Sequence, residues 1–297
     1  MEKTCIVLVG PTASGKTTLA IELAQHFNTE IISADSRQCF KELNIGVAKP
    51  NDLQLNLVHH HFINSHSITD NLSAADFERF ALTTTYKIFE NNNVAVMCGG
   101  TGLYIKAFAD GLDAIPLTEN KIKKEITDSY AENGLVWLQK KVEEIDPLFW
   151  EKGETNNPHR LLRALEVFMT TGISIIAHQK KIKKQRPFKI IKVGIEINRQ
   201  ELYDRINSRV DVMQEQGLEQ EAEFLLLYKH LNAMQTVGYR ELFNFFEGKT
   251  TREMAFQLIK QNSRHYAKRQ LTWFKKDEEI IWLEQKEILS YLINKLK

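Results

Sequence analysis

Cysteine is scarce in this chain of 297 residues, which contains three. Cys5, Cys39 and Cys98 lie far apart in the sequence, and none belongs to a Cys-x-x-Cys pair. This spacing argues against both a zinc site and a disulfide framework. We therefore expect a reduced, cytoplasmic protein.

Long apolar runs and a large net charge are missing as well. No stretch approaches the ~20 apolar residues of a membrane span, so we expect no membrane contact, and no targeting signal is visible. The formal net charge is +1, so attraction to an anionic partner must come from local basic patches. The composition, 43% hydrophobic and 26% charged, is typical of a globular protein with one large domain and a smaller one.

The most specific motif is the segment GPTASGKT at Gly10–Thr17. It follows a β-branched apolar run, Thr4–Val9, and precedes a segment with helical spacing, Thr17–Phe27. A strand, a G-x-x-x-x-G-K-[ST] loop and a helix are typical of a P-loop, whose N–H groups and lysine hold phosphate while its last hydroxyl binds Mg²⁺. The predicted phosphate-binding residues are Gly10, Pro11, Thr12, Ala13, Ser14, Gly15, Lys16 and Thr17, and Thr17 is the predicted metal ligand.

Two further strands are predicted to end beside this loop. Glu30–Ser33 is a short apolar run followed by Asp35, and Val94–Cys98 is an apolar run followed by a Gly-Gly-Thr-Gly turn. Because open α/β sheets place their ligands where parallel strands end, these segments are expected to converge on one site. Between them, residues 71–90 predict a helix capped by Ser73, with an apolar face formed by Phe77, Phe80, Ala81, Tyr86 and Phe89.

The middle of the chain has a different pattern. Residues 113–187 form charged, helical-looking segments without convincing strands, and Lys189–Asn198 then predicts another buried strand. We therefore predict an α/β fold: a P-loop NTPase-like core with a parallel sheet flanked by helices, formed by residues 1–112 and 188–297, and an inserted helical domain over 113–187. Further predicted elements are helices over Arg199–Gln216 and Glu253–Lys275 and a late strand over Glu279–Leu283.

A P-loop identifies a phosphate site and leaves the reaction open. Nucleotide kinases and hydrolases usually place an acidic residue at the end of an apolar strand, whereas Val94–Cys98 is followed by Gly-Gly-Thr. The acid at a strand end is Asp35, which suits either a metal contact or removal of a proton from an acceptor. The loop can therefore serve ATP or the diphosphate of another substrate.

Ten short motifs follow one another along nearly the whole chain: GPTASGKT, ADSRQCF, GVAKP, VHHHFIN, SAADF, GGTGLY, NPHRLLRALEVF, LYDRINSRVDVM, QTVGYRE and YAKRQLTWF. Single short motifs are weak indicators, whereas ten in the same order are specific. In this order they resemble one family, the bacterial tRNA dimethylallyltransferases, also called tRNA isopentenyltransferases.

This resemblance implies transfer of the dimethylallyl group from dimethylallyl diphosphate to the exocyclic N6 amine of the adenosine 3′-adjacent to the anticodon, with release of diphosphate. It implies that Asp35 is the general base, that Thr101 contacts the diphosphate or orients the acceptor, and that Arg205 reaches the diphosphate. Mg²⁺ is the implied cofactor, and with the P-loop it would stabilise the leaving charge. Structural roles stay open for each side chain: a turn acid for Asp35, a hydroxyl bonded to local backbone for Thr101, and a solvated helix arginine for Arg205.

The resemblance also implies how a tRNA anticodon stem-loop is held, with the target adenosine flipped out of its stack. The predicted tRNA-binding residues are Asp35, Ser36, Arg37, Gln38, Thr101, Lys123, His159, Arg160, Leu161, Leu162 and Arg163. Basic groups suit phosphate contacts, although each is equally consistent with a solvated face. These groups are the KKIKKQRPFK run at Lys180–Lys189, the lysines around Lys123, and the C-terminal helix with Arg264, Lys268, Arg269 and Trp273.

Some positions depart from the family pattern. Val58-His59 stands where a proline before a histidine pair is usual, and Phe40 replaces a tyrosine. The run His59–His61 invites a metal interpretation, but neighbours in a strand point to opposite faces and no cysteine or carboxylate cluster is near. We interpret these histidines as loop or structural residues.

Two alternatives use different chemistry. A small-molecule or nucleotide kinase would bind ATP at the same loop, and a non-catalytic RNA-binding module would leave the P-loop and Asp35 without a role. A narrower alternative is prenylation of free adenine nucleotides, against which the HRLLR segment and the basic insertion count. We expect a monomer, because two lobes of one chain suffice for one tRNA and one small diphosphate.

Overall fold

The computed structural model describes residues 2–180 and 182–296, and the chain divides into two compact units. The first unit is formed by Met1–Ala109 and Gln185–Lys297, and the second is the intervening segment Asp110–Lys184. The sequence predicted the insertion over 113–187. No helix among the described residues is long and apolar enough to cross a membrane.

A parallel β-sheet forms the centre of the first unit. Its described strands are β1 (Thr4–Val9), β2 (Ile31–Ser33), β3 (His60–His61), β4 (Val94–Gly99), β5 (Lys189–Glu196) and β6 (Ile281–Glu284). Their spatial order is β3-β2-β4-β1-β5-β6, and every neighbouring pair is parallel. The predicted α/β fold with a parallel sheet is confirmed, and β3 is a strand that the sequence did not predict.

The strands that carry the candidate motifs end level with one another. Val9 of β1 lies opposite Gly99 of β4, and Ser33 of β2 lies opposite Cys98. The loops that follow these strands therefore leave the same edge of the sheet side by side, as the sequence predicted.

The sheet is buried on both faces, as parallel sheets with helices on each side require. Alternate residues of β1 belong to different hydrophobic clusters: Cys5, Val7 and Val9 to one, and Ile6 and Leu8 to the other. This two-sided burial explains why β1 is a continuous apolar run in the sequence.

Helices lie between the strands and after the last strand, joined by loops. They are α1 (Lys16–His26), α2 (Asp52–Leu57), α3 (Ala74–Asn91), α4 (Gly102–Asp110), α5 (Asn120–Ile145), α6 (Pro147–Lys152), α7 (Pro158–Thr171), α8 (Ile175–His178), α9 (Arg199–Glu215), α10 (Leu218–Phe224), α11 (Tyr239–Phe246), α12 (Arg252–Phe274) and α13 (Gln285–Leu296). Short 3-10 turns occur at Leu226–Tyr228 and Asn232–Met234.

Helix α3 begins where the sequence predicted. The Ser73 hydroxyl accepts a hydrogen bond from the Asp76 N–H, and the Asp76 carboxylate accepts one from the Ser73 N–H, which forms a capping box. Most of the predicted apolar face is buried or half-buried, but Tyr86 is 46% exposed. The buried stripe passes through Thr85 and Ile88 instead.

The second unit is helical in its described residues and has a hydrophobic core of its own. Leu138 and Val142 of α5 belong to the same buried cluster as Leu161 and Leu165 of α7. Gly134 interrupts α5 with a left-handed φ of 74°.

Candidate active site

A cavity of about 1020 Å³ opens at the level edge of the sheet. Its wall includes the P-loop Thr12–Thr17, the turn Asp35–Gln38 and the Gly99-Gly100 turn, which follow β1, β2 and β4. Residues of α9 and α12 also belong to the wall. The three motifs that the sequence placed together therefore surround one space.

The P-loop has the backbone that a phosphate cradle requires. Gly15 has a left-handed φ of 87° immediately before α1 begins at Lys16, so the open N-terminus of that helix faces the loop. Within the loop, the Ser14 hydroxyl is buried and has no hydrogen-bond partner among the described residues. A buried hydroxyl without a partner is unfavourable, and Ser14 lines the cavity, so a polar ligand there would satisfy it.

Lys16 is a half-buried cation in this loop. Its Nζ donates a hydrogen bond of 2.5 Å to the Pro11 carbonyl. The pKa of Lys16 is lowered to about 8, mainly by burial; Cys98 and Asp35 act to raise it, and Arg209 acts to lower it. Binding of an anion would compensate the burial of this charge.

Two side chains from distant helices hold the P-loop. Arg209 of α9 donates a hydrogen bond of 3.1 Å to the Thr12 hydroxyl. Gln270 of α12 accepts one of 2.8 Å from the Thr12 N–H and donates one of 2.9 Å to the Gly100 carbonyl. Gln270 therefore joins the loops after β1 and β4, and neither residue was predicted as a site residue.

Arg205, the arginine that the sequence assigned to the diphosphate, and Arg209 lie one turn apart on α9. Arg205 also lines the cavity, but its guanidinium pairs with Glu201 at 2.7 Å and is 43% exposed. Arg209, one turn later, is directed into the P-loop, and burial lowers its pKa while Asp35 raises it. Residues four apart share a helix face, and the packing of α9 decides that Arg209 is the one that bonds the loop. The role of Arg205 at the diphosphate stays a prediction.

Asp35 forms the turn that follows β2. Its Oδ1 accepts hydrogen bonds from the N–H groups of Arg37 at 2.8 Å and Gln38 at 3.2 Å. Among the described residues, no hydrogen bond to Oδ2 is present. Asp35 is thus a turn acid through one oxygen, while the other stays available in a residue that lines the cavity.

Thr101 supports this turn from the loop after β4. Its hydroxyl accepts a hydrogen bond of 3.0 Å from the Ser36 N–H and donates one of 3.3 Å to the Ser36 hydroxyl. Its own N–H donates to the Ala34 carbonyl at 3.2 Å. Thr101 is not among the residues that line the cavity, and its hydroxyl holds the turn that contains Asp35; its contact with the diphosphate stays a prediction.

Gln38 is connected to a second loop of the cavity wall. Its side-chain amide donates to the Val47 and Ala48 carbonyls at 3.2 and 3.0 Å. The preceding part of that loop is held by the Glu221 carboxylate, which accepts hydrogen bonds from the N–H groups of residues 44, 45 and 46 and from the Tyr239 hydroxyl. Burial, followed by the Glu221 charge, raises the pKa of Tyr239.

His60 of β3 also lines the cavity. Its Nδ1 is 2.8 Å from the Val58 carbonyl, which can only accept, so Nδ1 carries the proton and Nε2 is an acceptor. That Nε2 is buried without a partner in the described chain. The cavity thus contains a second polar atom that a ligand could satisfy.

The predicted tRNA-binding residues of the second unit differ in availability. His159 and Arg160 are exposed at the start of α7, where Arg160 pairs with Glu154 at 2.5 Å. Leu161 is fully buried in the core because it lies on the apolar face of α7, so a tRNA contact at this position, which stays a prediction, would have to involve the backbone. Leu162 is half-buried against the same core.

Arg163 and Lys123 are partly exposed in the second unit. The Arg163 guanidinium donates to the Thr118 hydroxyl at 3.1 Å and to the Pro116 carbonyl at 3.2 Å. Arg163 therefore fastens the segment before α5 and has less freedom for phosphate contacts than the sequence suggested. Lys123 lies in the first turn of α5.

The basic run at Lys180–Lys189 is not a uniform phosphate-binding surface. Lys181 lies outside the described residues. Arg186 pairs with Glu78 at 2.8 Å and donates to the Phe108 and Ala107 carbonyls, and its side chain is 10% exposed. Arg186 is thus a structural residue of the first unit.

The C-terminal helix α12 retains the surface that the sequence indicated. A shallow depression is lined by Lys268, Arg269, Thr272, Trp273 and Lys276. Trp273 is 41% exposed. Cationic and aromatic side chains in one depression suit a nucleic-acid backbone and base.

Comparison with known proteins identifies the family. The model of the IPP transferase family matches residues 38–277, which is most of the chain. The chain belongs to this family.

Full-length relatives of this IPP transferase have consistent names. The tRNA dimethylallyltransferase of Christiangramia forsetii is 48% identical over 100% of this chain and 99% of its own. That of Cytophaga hutchinsonii is 45% identical over 97% and 95%.

Solved structures extend the similarity to the fold. The tRNA isopentenylpyrophosphate transferase of Bacillus halodurans has a TM-score of 0.73 and 33% identity, covering 99% of this chain and 97% of its own. A eukaryotic dimethylallyltransferase acting on tRNA has a TM-score of 0.78 and 25% identity, covering 95% and 74%.

Proposed function

We propose that this IPP transferase is a tRNA dimethylallyltransferase, which transfers the dimethylallyl group of dimethylallyl diphosphate to the N6 amine of the adenosine 3′-adjacent to the anticodon. The bond between the allylic carbon and the diphosphate oxygen breaks with its electron pair on oxygen. A bond from N6 to that carbon forms, and N6 loses a proton. The names of the full-length relatives support this reaction, and the observation that carries it here is the single cavity shared by the P-loop and Asp35.

The P-loop side of the cavity suits the leaving group. Lys16 and Arg209 are half-buried cations that approach the loop from different elements, and the N-terminus of α1 adds its N–H groups. A departing diphosphate gains charge in the transition state, and fixed donors in a site with little water stabilise that charge strongly. The unpartnered Ser14 hydroxyl is available to the same anion.

Asp35 suits the acceptor side of the reaction. Hydrogen bonds at Oδ1 fix the carboxylate, and Oδ2 is available to accept the N6 proton. Thr101 supports the same turn through Ser36, so it acts as a positioning residue in this proposal. Apolar side chains in the same cavity wall can receive the dimethylallyl group; these are Val210, Met213, Val237 and Ile259.

Mg²⁺ fits the oxygen donors of the diphosphate end. Thr17 lines the cavity next to Lys16, and its hydroxyl is the ligand that we propose for the ion. When bound, Mg²⁺ would neutralise part of the diphosphate charge.

The tRNA is proposed to be held by exposed basic and aromatic side chains outside the cavity. Lys268 and Trp273 on α12, and His159 and Arg160 on α7, are candidates for contacts with the phosphate backbone and bases. The target base must leave its stack to reach Asp35, at a cost of a few kcal/mol.

The reaction is tested by mass. Purified protein is incubated with unmodified tRNA, Mg²⁺ and dimethylallyl diphosphate. The tRNA is then digested, and the nucleosides are analysed by mass spectrometry. We expect adenosine that has gained one dimethylallyl group in place of hydrogen. Absence of this product, with conversion of ATP to ADP in a parallel incubation, would support the kinase alternative and contradict the proposal.

The role of Asp35 is tested by Asp35→Asn, which retains the oxygen that accepts the two backbone N–H groups and removes the base. We expect turnover to fall by about 10²–10⁴-fold, with binding of dimethylallyl diphosphate retained. Asp70→Asn is the matched control, because Asp70 also accepts a local backbone N–H, from Ser67, and is exposed outside the cavity. Equal turnover by the two variants would exclude Asp35 as the base.

A further inference from the structure

Two histidines and a glutamate lie close together beside the edge strand β3. His59 and His61 are alternate residues of an extended segment, so their side chains lie on one side, and their ring centroids are 4.3 Å apart. The Glu30 Oε2 atom is 2.5 Å from the His61 Nε2 atom. One ligand atom from each of the three residues lies within 4.8 Å of the others.

The fold supplies the carboxylate that is absent near these histidines in the sequence. β2 and β3 pair in parallel, with Ile31 opposite His60 and Ile32 opposite His61. The Ile31 N–H also donates to the His59 carbonyl at 2.9 Å, which extends the ladder by one residue. Glu30, directly before β2, is therefore held beside the histidine pair by backbone hydrogen bonds.

The cluster is accessible from solvent and separate from the cavity. The side chains of His61 and Glu30 are 23% and 44% exposed, and His59 is exposed. None of the three lines the cavity, whereas His60, between the two histidines, does. The side chains of His59 and His61 therefore lie on the side of the segment opposite to that of His60.

We propose that Glu30, His59 and His61 bind one divalent cation of the zinc class. Imidazole nitrogen and carboxylate oxygen are zinc ligands at about 2.0–2.2 Å, whereas Mg²⁺ prefers oxygen alone. Tetrahedral bonds of that length place ligand atoms roughly 3.3 Å apart, a value between the 2.5 Å and 4.8 Å found here. Side-chain rotation therefore suffices, and water fills the fourth position.

Such an ion would fasten β3 to β2. The ligands come from two neighbouring segments that are otherwise joined by the short two-residue β3 ladder. Because the ion binds an arrangement that the unfolded chain lacks, it stabilises the folded protein by mass action. This inference does not depend on the proposed prenyl transfer.

The test is calorimetric titration of the intact, chelator-treated protein with Zn²⁺ in excess Mg²⁺, together with the visible spectrum after Co²⁺ addition. We expect one Zn²⁺ per chain, an intense tetrahedral Co²⁺ spectrum, and a higher unfolding temperature with Zn²⁺. His59→Gln and Glu30→Gln should each weaken binding by more than about tenfold, which is the loss caused by removing even an outer-sphere partner.

His230→Gln is the control, because His230 is exposed in the same unit and is not part of the cluster. It should bind Zn²⁺ like the unmodified protein. Two results would overturn the proposal: no stoichiometric Zn²⁺ binding by the unmodified protein, or binding that both cluster variants retain. Circular dichroism of each variant without metal shows whether it is folded, and the two cluster variants provide independent tests because they change different segments.

Discussion

Replacing Glu221 by glutamine removes half of the acceptors that hold the loop over residues 44–46. Glu221 Oε2 accepts from the N–H groups of Asn44 at 3.1 Å and Ile45 at 2.9 Å. Oε1 accepts from the Gly46 N–H at 3.0 Å and from the Tyr239 hydroxyl at 2.6 Å. In Glu221→Gln one oxygen becomes an NH₂ group, which cannot accept a hydrogen bond.

The magnitude follows from these contacts. If the amide oxygen stays with Asn44 and Ile45, the new NH₂ group faces the Gly46 N–H, while the Tyr239 hydroxyl can rotate to accept from it. An unsatisfied backbone donor costs about 1–3 kcal/mol, and hydrogen bonds to a charged group lose up to about half their strength when the charge is removed. We estimate a loss of about 2–4 kcal/mol for opening of this loop, which corresponds to roughly 30- to 700-fold faster amide exchange where opening is local.

Hydrogen–deuterium exchange of peptides covering residues 44–46 measures this effect. Glu219→Gln is the matched control on the same helix, because Glu219 pairs at the surface with Arg252 at 2.5 Å and contacts no residue of the loop. Such surface pairs contribute about 0–1 kcal/mol, so exchange at 44–46 should not change. Since the Gln38 amide bonds to residues 47 and 48, turnover should also fall in Glu221→Gln. Unchanged exchange at 44–46 in that variant would refute the reasoning.

Three further predictions concern the P-loop and its neighbours. The pKa of Lys16 is lowered to about 8, and diphosphate binds the charged form of the lysine. Affinity for inorganic diphosphate should therefore fall as pH rises above 8, by up to about tenfold per pH unit. A calorimetric affinity that stays constant up to about pH 9.5 would contradict this prediction. Arg209→Lys should raise KM for dimethylallyl diphosphate by about tenfold or more, equivalent to ~1.4 kcal/mol, while Arg205→Lys should have a smaller effect. Steady-state kinetics with the opposite ranking would show that Arg205, and not Arg209, is the main contact of the diphosphate. In Gly99→Ala the new Cβ would lie 2.2 Å from the Ala34 carbonyl oxygen, so chemical denaturation should show a loss of about 1–3 kcal/mol or more, and an unchanged midpoint would disprove this close approach.

The sequence predicted the parts of the site that local patterns determine. The strand before Gly10, the P-loop and the helix after it share one motif, and β2 and β4 are apolar runs with clear ends, so their convergence followed from parallel pairing. Asp35 was predicted because it follows one of these ends. These features depend on residues close together in the chain.

The features that were missed depend on packing between distant segments. Arg205 and Arg209 have the same spacing pattern, and the rotation of α9 decides which one meets Thr12. Gln270 lies in a motif that was recognised, but its bonds to Thr12 and Gly100 exist only once α12 has docked. Glu30 and His59 likewise come together only because β2 pairs with β3, a strand of two residues that is too short to produce a periodic signal in the sequence.

Arg186 bears on the entropic cost of closing the inserted segment as a loop of the first unit. It bonds the carbonyls of Ala107 and Phe108 just before the chain leaves the first unit, and it lies just after the chain returns at Gln185. The segment in between is a long loop for the first unit, and closing a loop costs only about 0.6 kcal/mol more for each doubling of its length. The cost is therefore governed by joining the two ends, and the hydrogen bonds of Arg186 to the Ala107 and Phe108 carbonyls hold those ends together. A short linker in place of 110–184 should consequently leave the first unit able to fold, and the length of the insertion is free to change without loss of the sheet.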